Sequence, residues 1–188
     1  MPFKLVKLYH PSHRVPDLEK ADKFFKDVFG IRSVWRSEIY RKPDPKYPDF
    51  PIDYCIFTAI ADVFFDCIDP QKYVIDGVQR YETVKEPHLN GFGWGVEDID
   101  DIYELVQSVG VVPTDQANRP SDPKECPVAS FNTSKLFHTT PESSGVRLEF
   151  YPVESIGWYD PRKSADCGFT LQKAKARWAS SIARTTLS

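Results

Sequence analysis

The sequence predicts an α+β fold made of two similar halves, each with the element order strand, helix and three strands. An amphipathic helix pattern occurs twice at a fixed offset, and strand-like runs rich in β-branched and aromatic residues follow each copy. The length agrees, because 188 residues suffice for one ordinary domain or for two very small ones on a shared core. We therefore expect two βαβββ modules.

The first helix is expected between Asp17 and Gly30. Asp17 is a suitable N-cap, because its carboxylate can accept hydrogen bonds from the exposed amides of the first turn. Gly30 can adopt the left-handed conformation that commonly ends a helix. The apolar stripe at helical spacing consists of Leu18, Ala21, Phe25 and Val28.

The second half repeats this helix pattern. Val96 follows Val15 by 81 positions, and Asp98 follows Asp17 by the same 81 positions. The offset of 81 also relates Ile99 to Leu18, Ile102 to Ala21 and Val109 to Val28, and the closing Gly110 follows Gly30 by 80. Self-similarity of this kind indicates duplication, the alternative being a chance match of two amphipathic helices.

Three strands are expected after each helix, bounded by turn-forming residues. In the first half they are residues 33–40, 54–60 and 63–68, with a proline-rich loop at 41–51. In the second half they are a weak strand at 111–114 and then, after a long polar loop, residues 134–139 and 146–151.

Composition excludes some classes of partner. A net charge of −3 with interspersed acids and bases favours neither nucleic acid nor an anionic membrane. No apolar run reaches the length of a membrane span, and no signal-peptide core precedes the first strand, so a cytoplasmic location is expected. The widely spaced cysteines are then expected to be reduced structural thiols: Cys55, Cys67, Cys126 and Cys167.

Three motifs in this order resemble the vicinal oxygen chelate superfamily. They are His10-Pro-Ser-His-Arg-Val-Pro-Asp-Leu-Glu-Lys-Ala, Val96-Glu-Asp-Ile-Asp-Asp and Gly145-Val-Arg-Leu-Glu-Phe-Tyr. A loop beginning at Thr139, Thr-Thr-Pro-Glu-Ser-Ser-Gly, is similar to the epimerase-type turn before the last strand. The superfamily includes glyoxalase I, methylmalonyl-CoA epimerase, extradiol dioxygenases, fosfomycin resistance enzymes and bleomycin-binding proteins. The resemblance covers about residues 5–153.

The resemblance implies that two modules, residues 1–80 and 81–153, form a half-open, mostly antiparallel barrel around a central cavity. It also implies a small-molecule substrate and a homodimer. Residues 154–188 lie outside the resemblance; their basic, partly amphipathic pattern indicates a C-terminal extension that is helical or frayed.

The same resemblance implies a divalent metal site, since superfamily ligands come from the first and last strands of each module. The matching positions are His10, Asp66, Gly91 and Glu149, so the fourth ligand is missing. Asp66 is one methylene shorter than the glutamate of glyoxalase I enzymes. Mixed nitrogen and oxygen ligands suit iron, manganese, nickel or zinc, and we expect weak or substoichiometric binding.

Strand alternation places His10, Ser12 and Arg14 on one face and His13 on the other. Glu149 lies among apolar residues, so it needs a cation, a proton or a partner such as Arg147 or Arg14.

Three alternating glycines, Gly91, Gly93 and Gly95, predict a roomy inner wall, and a bulge beside them would turn His88 inward. The candidate catalytic residues are His10, Asp66, Glu149 and His138, the last being a third imidazole, an acid/base group or a rim residue. The candidate substrate-binding residues are Arg14, Phe64, Gly91, Gly93, Arg147 and Tyr151, with Phe92, Trp94 and Trp158 as further aromatic candidates.

Three functions remain open from sequence. The first is a divergent enzyme that acts on a small to medium oxygenated substrate by proton transfer or by isomerase- or lyase-type chemistry, with an incomplete metal site. The second is a non-catalytic small-molecule binding protein with a metal-free aromatic cavity. The third is an extradiol-type dioxygenase in which His88 supplies the second histidine.

Overall fold

A computed structural model describes residues 5–39, 53–60, 63–75, 77–79, 86–128 and 135–153. The strands are β1 (Leu5–Arg14), β2 (Val34–Trp35), β3 (Cys55–Ile60), β4 (Val63–Ile68), β5 (Val74–Ile75), β6 (Val78–Gln79), β7 (His88–Val96), β8 (Phe137–His138) and β9 (Arg147–Pro152). The helices are α1 (Leu18–Phe29), α2 (Arg36–Ile39) and α3 (Ile99–Ser108), with 3-10 turns at Pro123–Glu125 and Pro141–Ser143. The predicted loop at 41–51, the tail at 154–188, Trp158 and Cys167 lie outside the described residues.

Seven strands form one mixed sheet in the order β2-β3-β4-β1-β7-β9-β8. β1 pairs with β4 and β7 pairs with β9 in parallel, whereas the central β1–β7 pair and the outer pairs are antiparallel. The predicted α+β class and mostly antiparallel sheet are confirmed. The sheet does not close into a barrel, and β5 and β6 form a separate hairpin.

The strand register repeats between the two halves. Ser12 of β1 lies opposite Asp66 of β4, and Gly93 of β7, which is 81 positions after Ser12, lies opposite Glu149 of β9. In the outer pairs Phe57 faces Asp66, and a residue 81 positions later, His138, faces Glu149. The offset of 81 therefore relates β1 to β7 and β3 to β8 in the sheet, whereas Asp66 and Glu149 are 83 positions apart.

Both long helices begin at the predicted aspartates. The Asp17 carboxylate accepts from the Lys20 amide at 3.0 Å, and Asp98 caps α3 in the same way. Gly30 ends α1 with φ +65°, a left-handed conformation that glycine adopts without steric cost. The apolar stripe is buried at Leu18 but is solvent-exposed at Val28, which is 58% accessible. The stripe contacts the sheet only along its first turns.

Three expected strands are shorter than predicted. In the range expected as 134–139, the described residues 135–139 contain only the two-residue β8. In the range expected as 33–40, the described residues 33–39 contain only the two-residue β2 before the chain turns into α2. The Glu38 side chain accepts from the Trp35 amide at 3.0 Å, an arrangement that closes the first turn of a helix and ends the strand. The weak strand at 111–114 is reduced to Thr114, which bridges to Pro120 and His138.

The helices cover one face of the sheet and leave the other for the cavity. On the covered face α1 packs on Val15, Ile56 and Cys67, and α3 packs beside Phe137 and Phe150. Residues next to these in β4 and β9, Asp66 and Glu149, point to the opposite face because side chains alternate along a strand. The cysteines in the described ranges, Cys55, Cys67 and Cys126, are free thiols. Among the described helices, none combines the length and the apolarity that crossing a bilayer requires.

Candidate active site

A cavity of about 400 Å³, including its open mouth, lies on the uncovered face of the sheet. Five of its lining residues carry groups suited to moving or sharing protons: His10, Ser12, Asp66, His138 and Glu149. Others supply amide and guanidinium groups (Asn90, Gln116 and Arg147) or aromatic rings (Tyr54, Tyr73 and Phe92). The lining therefore combines titratable groups with aromatic rings.

Glu149 is held between two histidines. Its Oε2 lies 3.3 Å from Nε2 of His10, and its Oε1 lies 3.0 Å from Nε2 of His138. Both imidazoles are buried: His10 is 0% accessible and His138 is 5% accessible. Asp66 lies near the same nitrogen of His10, with 3.9 Å between its Oδ2 and Nε2 of that ring.

The register of the sheet explains this cluster. His10 lies opposite Gly93, Gly93 lies opposite Glu149, and Glu149 lies opposite His138. The four residues form one row across four strands, which we call the glutamate row. Gly93 has no side chain, so the His10 ring lies over it and reaches Glu149.

A second row occupies the corresponding place in the other half and is called here the aspartate row. It runs Gly91, Ser12, Asp66 and Phe57. The positions of the two histidines are taken by Gly91 and Phe57, so this row contains no imidazole. The nearest polar group to Asp66 within it is the Ser12 hydroxyl, which is 3.5 Å from Oδ2, at the limit of a hydrogen bond.

The two carboxylates consequently have opposite pKa shifts. Burial raises the pKa of Glu149, but the His138 charge and the hydrogen bonds from His10 and His138 outweigh it and hold that pKa well below its ordinary value. Burial and the Glu149 charge raise the pKa of Asp66 to about 6, although His10 and Arg36 oppose the shift. Near neutral pH, Glu149 is ionised and Asp66 exchanges between its two protonation states.

The histidines also differ. Burial lowers the pKa of His10, but the hydrogen bond to Glu149 and the charges of Glu149 and Asp66 outweigh burial, so the net pKa is raised. For His138 burial is the larger influence and the Arg147 charge adds to it, so the pKa is lowered despite Glu149. His10 is the imidazole that carries a proton more readily.

Two buried arginines lie near these groups. Arg147 lines the cavity and its guanidinium donates to the Asn118 side chain. Arg36 lies over the Tyr54 ring, 5.1 Å from its centroid. The sequence suggested Arg147 or Arg14 as the partner of Glu149, whereas the contacts of Glu149 in the structure are with the two imidazoles. Among the described residues, Arg14 is not part of the cavity lining.

The glycines of β7 do not form the roomy wall that the sequence suggested. A Cβ on Gly93 would be 2.5 Å from Cε1 of His10, one on Gly95 would overlap the Tyr9 ring, and one on Gly91 would overlap the backbone of Arg147. The space beside each glycine is filled by a neighbouring strand. Glycine is needed here for close packing rather than for an open volume.

The remaining sequence-predicted residues divide into two groups. Gly91 and Phe92 line the cavity, whereas the described lining does not include Gly93, Phe64 or Trp94. Tyr151 packs edge-on against His10 with 6.1 Å between ring centroids, which places it behind the histidine. Trp94 packs against the α3 side of the sheet.

The predicted bulge in β7 exists but does not bring in His88. The register slips at Asn90, because Ser12 faces Gly91 while His13 faces Leu89. Asn90 is buried and lines the cavity, while His88 is exposed and contacts the Glu86 carbonyl through Nδ1 at 3.2 Å. His88 therefore does not replace the ligand missing at Gly91.

Comparison with known proteins gives the fold a wider context. A methylmalonyl-CoA epimerase solved with methylmalonyl-CoA and NH4+ matches with a TM-score of 0.53 and 12% identity, over 79% of this chain and 95% of that one. A Streptomyces coelicolor methylmalonyl-CoA epimerase variant in complex with 2-nitronate-propionyl-CoA matches at 0.51 and 12%, over 79% and 98%. A hypothetical protein from Bacillus halodurans C-125 matches at 0.50 and 14%, over 81% and 95%.

The chain has the vicinal oxygen chelate fold. No family model matches the sequence, and no curated protein matches it closely enough to count as a relative. At these identities the likeness concerns the vicinal oxygen chelate fold and not a particular member of the superfamily.

The metal that this fold implies was tested against the side chains present. Within the described ranges, no three His, Cys, Asp or Glu side chains are arranged to hold a metal ion. Nε2 of His10 lies 3.3 Å from Oε2 of Glu149 and 3.9 Å from Oδ2 of Asp66, and Nε2 of His138 lies 3.0 Å from Oε1 of Glu149. The donor types suit a metal, but in the described structure both oxygens of Glu149 are engaged by imidazoles.

Several cavity residues were missed by sequence reasoning. Tyr54 precedes a strand, while Tyr73 and Gln116 lie in loops and are joined by a hydrogen bond from the Tyr73 hydroxyl to the Gln116 carbonyl. Asn90 enters through the bulge. Alternation along strands predicts none of these positions, and their common signal, a polar or aromatic residue at a strand border, is too frequent to single them out.

Proposed function

We propose that this protein is an enzyme that removes a proton from a carbon next to a carbonyl of a small to medium oxygenated substrate and returns it. The chemistry belongs to the isomerase or lyase type. The observation that carries the proposal is the pair of buried carboxylates with opposite pKa shifts, Asp66 raised to about 6 and Glu149 lowered. Environments that separate two pKa values in this way are typical of paired acid and base groups.

Asp66 is the group we assign to proton transfer. It faces the cavity, its Oδ1 has no hydrogen-bond partner among the described residues, and its pKa of about 6 makes both forms accessible at neutral pH. The ionised carboxylate accepts the proton, and the electron pair of the C–H bond moves to the carbonyl oxygen as an enolate. Return of this proton from Asp66 to a neighbouring carbon gives the isomer, whereas its return to the original face of the same carbon regenerates the substrate.

The enolate charge needs a stabilising partner. His10 and Arg147 are the cationic groups we assign to this role, because both line the cavity and both are buried. Hydrogen-bond donors fixed in a site that excludes water stabilise a developing oxyanion without reorganising. Glu149 remains ionised between His10 and His138 and holds both rings in place.

Deuterium exchange tests the proposal. The protein is incubated in D2O with a panel of 2-oxo acids, 2-hydroxy ketones and acyl thioesters, and 1H NMR follows loss of the signal next to the carbonyl. Exchange with at least one class is expected, and Asp66→Asn is expected to reduce it about 10²–10⁴-fold. Asp69→Asn is the matched control, since Asp69 is also buried but accepts from the Gln71 amide outside the cavity. Equal exchange in Asp66→Asn and the unmodified protein would refute the assignment.

The structural neighbours support the class of reaction. Two of them are methylmalonyl-CoA epimerases, which agrees with isomerase chemistry. We take from them neither the CoA-linked substrate nor the cation, because the likeness is one of fold. The divalent metal, the homodimer and the cytoplasmic location stay predictions of the sequence.

A non-catalytic binding protein is the second candidate, favoured by the aromatic residues of the cavity lining. Tyr54 and Tyr73 meet edge-to-face with 4.7 Å between ring centroids, and Phe92 lines the same cavity. Such rings offer a stacking surface to a flat ligand. Binding of an aromatic ligand that survives Asp66→Asn, without proton exchange on any substrate class, would favour this candidate.

A further inference from the structure

A side chain normally separates residues that lie two strands apart on one face of a sheet. β1 and β9 both border β7, and neighbouring strands are about 4.8 Å apart, so the β1 and β9 backbones are separated by about 10 Å. His10 and Glu149 nevertheless approach to 3.3 Å above the intervening strand. The residue between them in the register is Gly93.

The His10 ring occupies the place where a side chain of residue 93 would be. A Cβ built on Gly93 has as its three nearest atoms Cε1, Nε2 and Nδ1 of His10, at 2.5, 2.8 and 2.9 Å. Distances below about 3.0 Å do not occur for real Cβ atoms. The His10 ring is fully buried, so a Cβ there forces the ring out of its present position.

We propose that Gly93 is a positioning residue, whose missing side chain lets the His10 imidazole cross β7 and meet Glu149. The inference rests on the proposed function, since it explains how Glu149 comes to be held by two histidines. It also explains the difference between the rows. Ser12 takes the place of Gly93 in the aspartate row, and a serine side chain there contacts Asp66 directly.

The neighbouring Gly95 offers a matched control. A Cβ on Gly95 would overlap the Tyr9 ring, so Gly95→Ala introduces a similar clash on the same strand but with a different ring. Four double-mutant cycles are formed by combining Gly93→Ala or Gly95→Ala with His10→Ala or Tyr9→Ala, together with the four single variants. Thermal unfolding of each protein gives the coupling between the glycine and each ring.

Both glycine variants are expected to lower Tm by about 2–12 °C, the range that corresponds to overpacking in a chain of this size. Combination with His10→Ala is expected to abolish the loss caused by Gly93→Ala and to leave the loss caused by Gly95→Ala unchanged. Combination with Tyr9→Ala is expected to abolish the loss caused by Gly95→Ala and to leave the loss caused by Gly93→Ala unchanged. Additive losses of Tm in the Gly93→Ala and His10→Ala double variant would overturn the proposal.

Two further readouts do not rely on thermal unfolding. In the unmodified protein, an NMR cross-peak between Hε1 of His10 and the Gly93 Hα protons is expected, and its absence overturns the proposal. Where deuterium exchange is found, Gly93→Ala is expected to reduce kcat by at least tenfold with little change in KM, while Gly95→Ala stays within about threefold. Lack of exchange in every protein refutes the proposed function alone, because the unfolding cycles and the cross-peak still test Gly93.

Discussion

The His10 imidazole and the Glu149 carboxylate are in contact across an entire strand, with 3.3 Å between Nε2 and Oε2. On its other side Glu149 contacts His138 at 3.0 Å. A buried carboxylate in this position neutralises two rings that would otherwise lose solvation without compensation.

Removing the charge of Glu149 should destabilise the protein. Glu149→Gln leaves two buried imidazoles without their anion, and we expect a loss of about 3–5 kcal/mol in the free energy of unfolding at pH 7. The folded-state pKa of Glu149 is lowered, so its contribution is present above the unfolded pKa and is lost as pH falls through the folded pKa. Urea denaturation at pH 7 and at pH 3–4 measures this, with the exposed Glu104→Gln as control. A difference in unfolding free energy between the unmodified protein and Glu149→Gln that is equally large at pH 3–4 would contradict the lowered pKa of Glu149.

Replacing Asp66 should have the opposite effect on stability. Its folded pKa of about 6 exceeds the unfolded value, so the folded state binds more protons between these two pKa values and stability falls as pH rises through that window. Asp66→Asn is therefore expected to be more stable than the unmodified protein by about 1–3 kcal/mol at pH 7.5 and by less at pH 4. Urea midpoints at the two pH values provide the measurement. Destabilisation at pH 7.5 would mean that ionised Asp66 has a stabilising partner.

The rate of proton exchange should rise with pH on the acid side. Because the ionised form of Asp66 accepts the proton, the rate is expected to increase through an apparent pKa of about 6 and then to level off. Initial rates between pH 4.5 and 8, compared with those of Asp66→Glu, give the profile. A rate that stays constant across this range would exclude Asp66 as the base.

His138 should matter for activity more than a histidine on the opposite face. His138→Gln keeps a donor for Glu149 but loses the charge that lowers the pKa of that carboxyl, so slower exchange by about tenfold or more is expected. His13→Gln is the control, since His13 stacks on Phe65 with 5.5 Å between ring centroids, away from the cavity. Similar rates in the two variants would show that His138 is structural only.

Metal content distinguishes a metal-free site from a metal-dependent one. Elemental analysis of protein purified without chelators is expected to show substoichiometric or weakly held metal, because both oxygens of Glu149 face imidazoles. Exchange activity should also survive EDTA. One tightly held equivalent of iron or zinc, lost together with activity on chelation, would require the His10–Glu149 contact to open and would replace the metal-free mechanism.

Sequence reasoning found the fold because the repeated signals are local. Asp17 and Asp98 cap their helices through hydrogen bonds within one turn, and the offset of 81 survives as a register in the sheet. Strand alternation correctly separated the faces of His10 and His13. These features depend on neighbours close in the chain, which a single sequence contains.

The parts that were missed depend on distant neighbours. Asn90 enters the cavity through a register slip, and Tyr73 and Gln116 do so from loops. The glycine pattern was interpreted as empty space, although the space is taken by His10, Tyr9 and the Arg147 backbone. A missing side chain has the same appearance in a sequence whether a ligand or another strand fills the gap.

The glycines of β7 limit which substitutions can change the ligand preference of the cavity. The His10 ring lies over Gly93 and the Arg147 backbone lies beside Gly91, so substitutions at these glycines mainly disturb packing. Other lining residues include Tyr54, Tyr73, Asn90 and Gln116. Directed evolution toward new ligands should therefore change these side chains rather than the glycines of β7.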